Sequence, residues 1–297
     1  MVKEIFMLGI TALLAAGVFA AEPTPWEVNV NANLMGSFQY YTKNWTGEEK
    51  GAVAWTGQLN ADLKRQFNSV LHNRNVMKLA FGQTNYQKES RDGFLDPVKS
   101  TDLVDLESIL KFTPKIVLNP FIGVRYISQF LDESDSSETF YFNPSELTES
   151  FGGAFQVIKN DKVDFVTRLG GAVRQTFNRH EAIDNTNDGG VELVSELNAT
   201  NKDGWIKYQS LLKIYEAIAR NGDPEGDGWR HPDVNWENTL VVNLTKYLML
   251  NVYTQLLYDK EIDLSVRFKN VTSIGVTFLF SNKKPETDKK TGAEKKN

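Results

Sequence analysis

The chain has no cysteine among its 297 residues. Disulfides, thiolate metal sites and lipid attachment at a cysteine are therefore excluded. Histidine is nearly as scarce, at three, which leaves little material for His-based catalysis. After the first 20 residues no stretch approaches the roughly 20 consecutive apolar residues of a transmembrane helix, so any membrane span must be built from strands. A basic surplus is missing too. The 33 Lys and Arg stand against 38 Asp and Glu, for a net charge of -5 and a pI near 5.4, and nucleic acid is not an indicated partner. No segment after the N-terminus keeps a helical period of apolar residues together with capping signals.

What the chain does have is a two-residue rhythm. In Val53-Ala54-Trp55-Thr56-Gly57-Gln58-Leu59-Asn60-Ala61-Asp62-Leu63-Lys64 the odd positions are apolar or small, and the even positions from Thr56 onward are polar. Successive strand side chains point to opposite faces, so this segment has one oily face and one wet one. Comparable segments fall near 28–41, 52–65, 75–85, 102–113, 117–130, 147–158, 162–177, 190–200, 205–217, 234–244, 247–258 and 264–280, twelve in all. Rich in Val, Leu, Phe, Tyr, Trp and Thr, they predict an all-β fold. Residues 1–20 read differently: Lys3, the apolar run Ile5 to Phe19 and the small residues at Val18-Phe19-Ala20 predict a secretory signal peptide, with the mature chain starting near Ala21.

Alternation alone fits a soluble sandwich, whose polar face meets water, as well as a membrane barrel. The connections separate the two. Thr113 to Lys115, Asn160-Asp161, Lys202-Asp203-Gly204 and Thr245-Lys246 are tight, whereas 131–146, 178–189 and 218–233 are long; 66–74 is a medium exception. An outer-membrane barrel has short periplasmic turns and longer extracellular loops, and an even strand count puts both termini in the periplasm. The expectation is a single antiparallel up-and-down transmembrane β-barrel of about 12 strands over 21–280, in the outer membrane of a Gram-negative-type bacterium. A charged tail at 281–297 is expected to be disordered. Closure would satisfy the backbone of every strand without an edge.

The two faces follow from the register. Leu34, Phe38, Trp55, Leu169, Leu240 and Ile274 fall on the face that would meet lipid. On the face that would line the lumen, the acids are Asp62, Asp105, Glu107, Asp164, Glu192, Glu196 and Glu237. The bases there are Lys64, Lys111, Arg125, Arg168, Arg174, Lys207 and Lys213.

Asn44-Trp45-Thr46-Gly47, Lys99-Ser100-Thr101-Asp102, and Val234-Asn235-Trp236-Glu237-Asn238 leading through Lys246-Tyr247 to Gln255-Leu256-Leu257-Tyr258-Asp259 come in an order and spacing that resemble a known family. It is the uncharacterised outer-membrane family called domain of unknown function 3078, found in Bacteroidota and related bacteria. The likeness covers residues 34–262. Departures from its pattern are Gly47-Glu48-Glu49, where a glycine pair is expected, and Ser128-Gln129-Phe130 in place of Thr-Gln-Phe. The resemblance implies an outer-membrane β-barrel and no reaction.

Chemistry has few candidates. His72, His180 and His231 fall in predicted connections, none beside a serine in a strand, and read as solvent-exposed. Asp105 with Glu107, and Glu192 with Glu196, share a face, but in a charged lumen such acids meet Arg and Lys. Asp184-Asn185-Thr186-Asn187-Asp188-Gly189 resembles the opening of an EF-hand loop without its closing glutamate, and a second acidic loop holds Asp223, Glu225 and Asp227. Asp184, Asp188, Asp223 and Asp227 are the calcium candidates, set against the plainer reading of solvated turns. No catalytic residue and no cofactor is predicted. The expected partners are outer-membrane lipid, surface glycolipid and small hydrophilic solutes. Two functions stay open: a channel for such solutes, or a non-conducting structural or partner-binding barrel acting through its long loops.

Overall fold

Each of the twelve alternating segments forms one strand of a single antiparallel sheet that closes on itself. The computed structural model describes residues 24–44, 49–114, 117–134, 138–181, 183–221 and 227–282. The expected signal peptide and all but the first two residues of the expected tail lie outside them. In chain order the strands are β1 (Glu27–Gln39), β2 (Ala52–Gln66), β3 (Leu71–Tyr86), β4 (Val98–Phe112), β5 (Leu118–Ser128), a two-stranded loop hairpin β6 (Leu131–Asp132) and β7 (Phe140–Tyr141), then β8 (Ser145–Lys159), β9 (Val163–Phe177), β10 (Thr186–Thr200), β11 (Ile206–Arg220), β12 (Asp233–Asn243), β13 (Leu248–Asp259) and β14 (Asp263–Ser281). Apart from the hairpin, each strand pairs with its neighbour in sequence, and β1 pairs with β14 to close the barrel.

The seam between the chain's two ends is eight residue pairs long, from Asn29 opposite Ser281 to Gly36 opposite Ile274. Above Ile274, β14 continues against β13 alone among the described residues. Ser281 thus belongs to the barrel rather than to the tail. Asn282 is anchored as well: its Oδ1 accepts from the Val28 N–H at 2.7 Å and its Nδ2 donates to the Trp26 carbonyl at 2.8 Å.

Connections divide by end. At one, the turns spanning 67–70, 113–117, 160–162, 201–205 and 244–247 are short; at the other, loops span 40–51, 87–97, 129–144, 178–185 and 221–232. The expected medium connection at 66–74 shrinks to four residues because β3 starts at Leu71, with Asn68 Oδ1 accepting from the N–H groups of Val70 and Leu71 at 3.0 and 2.8 Å. Asn160 and Thr245 tie their turns the same way. The exception runs the other way: 260–262 is a three-residue turn at the loop end.

Cross-strand register settles which way each row points. Asp62 lies opposite Asn29, Lys64 opposite Arg74, Glu107 opposite Arg125 and Asp188 opposite Arg174, so polar residues line up on the inner face. The outer face carries large apolar side chains exposed to the surroundings, among them Phe38, Phe151, Leu169 and Phe278. There is no thick apolar core among the described residues. Small residues on the inner face of β8 to β10 let that arc of wall close tightly: a Cβ on Gly170 would sit 2.0 Å from the Phe151 carbonyl oxygen of the neighbouring strand.

Candidate functional site

Alternation delivers fixed charges to the lumen, and five strands pool them. Arg74 of β3 donates through Nε and Nη2 to Asp62 of β2 at 3.1–3.2 Å and through Nη1 to Glu196 of β10 at 2.7 Å. Lys64 closes on Asp62 at 3.1 Å. Glu196 also receives Arg168 of β9 at 3.3 Å, and Arg168 in turn reaches Glu107 of β4 at 2.8 Å. The result is one rail, Lys64–Asp62–Arg74–Glu196–Arg168–Glu107, with three cations and three carboxylates. β3 and β10 are five strands apart around the barrel, so Arg74–Glu196 crosses the lumen. The Arg168 guanidinium also lies over the Phe121 ring, 5.6 Å from its centroid.

Two more groups flank the rail. Arg125 binds Asp105 in a fork, at 2.8 and 2.6 Å. Nearer the loop end, Arg174 holds Asp188 at 3.2 Å and Asp233 at 2.6 Å and stacks 4.4 Å from the Tyr215 ring centroid, while the Tyr215 hydroxyl donates to Asp188 at 2.7 Å. Lys78 approaches Glu237 at 3.8 Å from across the lumen.

The rail fills one side and leaves the other open. A cavity of about 890 Å³ runs between β11–β14 on one flank and β1–β5 on the other. Its lining starts at the short turns, at Gly204, Thr245 and Lys246, and continues to Ser37, Ala54 and Thr101, within three residues of the strand ends opposite. Amide side chains recur along the wall between, including Asn31, Gln58, Asn60, Asn251 and Gln255, interspersed with apolar ones such as Met35, Leu79 and Val241.

The fourteen lumen candidates all occupy inward register positions, but they divide in use. Asp62, Lys64, Glu107, Arg168 and Glu196 join in the rail; Asp105, Arg125, Lys207 and Glu237 line the cavity; Arg174 anchors the loop-end cluster. Asp164 is tied to Lys159 at the turn end. Lys111, Glu192 and Lys213 have no ion pair among the described residues. Alternation beginning at residue 75 misses Arg74, which pairing shows to be four residues inside β3. Asp233 and Tyr215 are likewise visible only once the loop-end strands are known to meet.

Two expectations are corrected. Asp188 is not a loop ligand: β10 begins at Thr186, which turns Asp188 inward, 3% exposed, onto Arg174 and Tyr215. Asp184 stands in the loop, Asp227 is engaged by Lys260 at 3.1 Å, and Asp223 lies outside the described residues. No three His, Cys, Asp or Glu side chains gather as a metal site among the described residues. Two of the histidines depart from the exposed-loop reading, His72 and the largely buried His180, whereas His231 is a loop residue with its side chain 40% exposed. His72 belongs to β3 with a buried Nδ1, and Lys260 Nζ lies 2.7 Å from His231 Nε2.

His180 is packed against Asp132 and Ser134, a trio that invites comparison with a hydrolase. Both contacts use the same ring nitrogen, Nε2, at 2.8 Å to Asp132 and 3.1 Å to Ser134, and the serine hydroxyl donates to Asp132 Oδ1 at 2.7 Å. A catalytic relay needs the acid on one nitrogen and the nucleophile on the other. This is instead a staple between loops 129–144 and 178–185, extended by Asn143 Nδ2 donating to Asp132 at 2.6 Å and to Asn178 at 3.2 Å. Burial pushes the Asp132 carboxyl up, but the hydrogen bonds from Ser134, Asn143 and His180 outweigh it and hold the group well below the usual carboxylate range.

Fold and lumen together define a closed twelve-stranded antiparallel β-barrel with an ion-paired, half-filled interior. No family model matches the sequence, and no curated protein matches it. Among solved structures it is similar to an outer-membrane channel from Pseudomonas putida F1, with 14% identity and a TM-score of 0.41 over 89% of this chain and 98% of that one. It is also similar to the translocator domain of the autotransporter NalP from Neisseria meningitidis, with 8% identity and a TM-score of 0.31 over 93% of this chain and 96% of that one. Likeness at this level assigns no activity; the architecture rests on the chain's own strand pairing.

Proposed function

We propose that the protein is an outer-membrane β-barrel that passes small hydrophilic solutes through the half of its lumen that the rail leaves free. The cavity carries this reading, because it runs beside the ion pairs from the short turns toward the loop end with amide and charged side chains along its wall. The outer face supports a membrane setting: Leu34, Leu169, Leu240 and Ile274 stand exposed around the wall, an arrangement that water penalises and lipid does not. The even strand number puts the start of β1 and the end of β14 on the short-turn side, which supports a periplasmic setting for that side. Membership of the family called domain of unknown function 3078, proposed on its ordered motifs, fits the same setting. The protein reconstituted in a planar lipid bilayer is expected to give discrete conductance steps. Silence at all voltages would sink the channel reading.

One observation favours a second reading. Arg74–Glu196 ties opposite walls together as a strut would, and the loops above are stapled, so a non-conducting scaffold that binds a partner through its long loops accounts for the same features. In that case deleting loop 178–185 abolishes partner recovery while the barrel still folds.

A further inference from the structure

We infer that the free half of the lumen selects small anions, an inference that rests on the channel reading above. The cavity wall holds three carboxylates, and each is neutralised where it stands. Asp105 is held in the Arg125 fork at 2.6 and 2.8 Å, Glu237 faces Lys78 at 3.8 Å, and Asp102 takes Lys99 at 3.2 Å together with the N–H groups of Phe130 and Leu131 at 2.6 and 3.0 Å. Three lysines remain on the same wall. Lys207, Lys246 and Lys269 line the cavity and have no ion pair among the described residues, although the Lys246 Nζ lies over the Tyr247 ring at 5.1 Å.

Their placement turns an excess into a path. Lys207 and Lys246 stand at the short-turn end, where the cavity begins, and Lys269 lies farther along on β14. Two residues on from Lys269, on the same inward row, Arg267 adds a guanidinium whose buried Nε has no hydrogen-bond partner. Among the described residues Glu146 of β8 and Glu192 of β10 are inward acids without a cation, and Asp259 at the loop end of β13 is another; none of the three lines the cavity. Unpaired groups of both signs lie off the cavity, Lys111 and Lys213 as well as Glu146 and Glu192, but along the cavity wall the charges left unpaired among the described residues are cations.

The rest of the wall lets those cations set the sign. Amides such as Asn31, Gln58, Asn60 and Asn251 solvate an ion of either charge, so discrimination falls to the three ammonium groups. In a narrow lumen walled by protein their field is focused rather than screened as on an open surface. The solute class is a small hydrophilic anion, such as an inorganic anion or a carboxylate.

Reversal potentials test this on the full protein in a planar bilayer under a KCl gradient, repeated with potassium gluconate. The wild type is expected to favour chloride severalfold over potassium. Replacing the three lysines together, as Lys207→Gln, Lys246→Gln and Lys269→Gln, is expected to abolish the preference, and the matching Glu variant to invert it. Lys162→Glu, a turn substitution at the same end of the barrel, controls for general surface charge and leaves the preference in place. Heat-dependent gel mobility verifies that each variant is a folded barrel, and the milder Gln set serves if the Glu set does not fold. A conducting barrel that prefers potassium, shows no preference, or keeps its chloride preference in the Gln variant overturns the inference and leaves the channel reading standing. A barrel that never conducts overturns both.

Discussion

Glu196 accepts from two guanidinium groups at once, Arg74 from across the lumen at 2.7 Å and Arg168 from the adjoining strand at 3.3 Å. Removing it leaves two largely buried cations without their shared counter-charge, a situation far worse than never having had the pair. Glu196→Ala is therefore expected to lower stability by about 3 kcal/mol, read from urea unfolding in lipid vesicles. A loss well under about 1 kcal/mol would show that water in the lumen solvates both groups and that the rail is not a brace. At this scale the sequence was half legible. Period-two spacing put Glu196, Arg168 and Glu107 on one inner face, since pointing direction is local. Which of them touch depends on how far the strands are staggered around the barrel, and that is not written in any one segment. Asp188 shows the failure most clearly, because a loop-like Asp-Asn-Gly composition hid a strand start.

Strands and connections carry the next level of organisation. All twelve strand centres are readable because a strand needs only one apolar face, and the alternation from Thr56 to Lys64 covers the centre of β2. Strand ends are not, since loop-end strands run on into segments rich in Asp, Asn and Gly. The hairpin of β6 and β7 went unseen: two residues a side is too short for any period. Asp132, in that hairpin, joins it to the loop before β10 through His180 and Asn143. Its depressed pKa fixes the sign of a pH effect: the contribution is complete above the ordinary aspartate value of about 4 and is lost as pH falls through the folded value. Limited proteolysis within 129–144 is expected to be slow at neutral pH and to accelerate in strong acid. Asp132→Asn should be cleaved readily at neutral pH and lose most of that pH dependence; equal resistance in both proteins would show that the staple does not hold the loop.

The whole molecule is a wall with an inside, and its outer aromatics mark two levels. Trp55 and Trp236 lie near the loop ends of their strands, Trp205 at a short turn, and all three are between 40% and 47% exposed. Rings at those heights match the interfacial girdles of membrane barrels. With one of these tryptophans retained at a time, fluorescence is expected to be quenched more strongly by lipids brominated near the headgroup than by lipids brominated at the chain ends. Uniform quenching, or none, would remove the membrane setting. The seam has a different consequence, one of timing. Most ladders join strands separated by a short turn or a single loop, whereas β1 and β14 join residues as many as 252 positions apart, so their closure entropy is met only after the hairpins between them have drawn the ends together. Those eight pairs are expected to be the last to form, and until they do the sheet carries two bare edges able to template pairing with another chain. The interval before closure is when the protein is most open to misassembly, and substitutions along Asn29 to Gly36 are expected to weaken the finished barrel and speed its opening while leaving the earlier folding steps nearly unchanged.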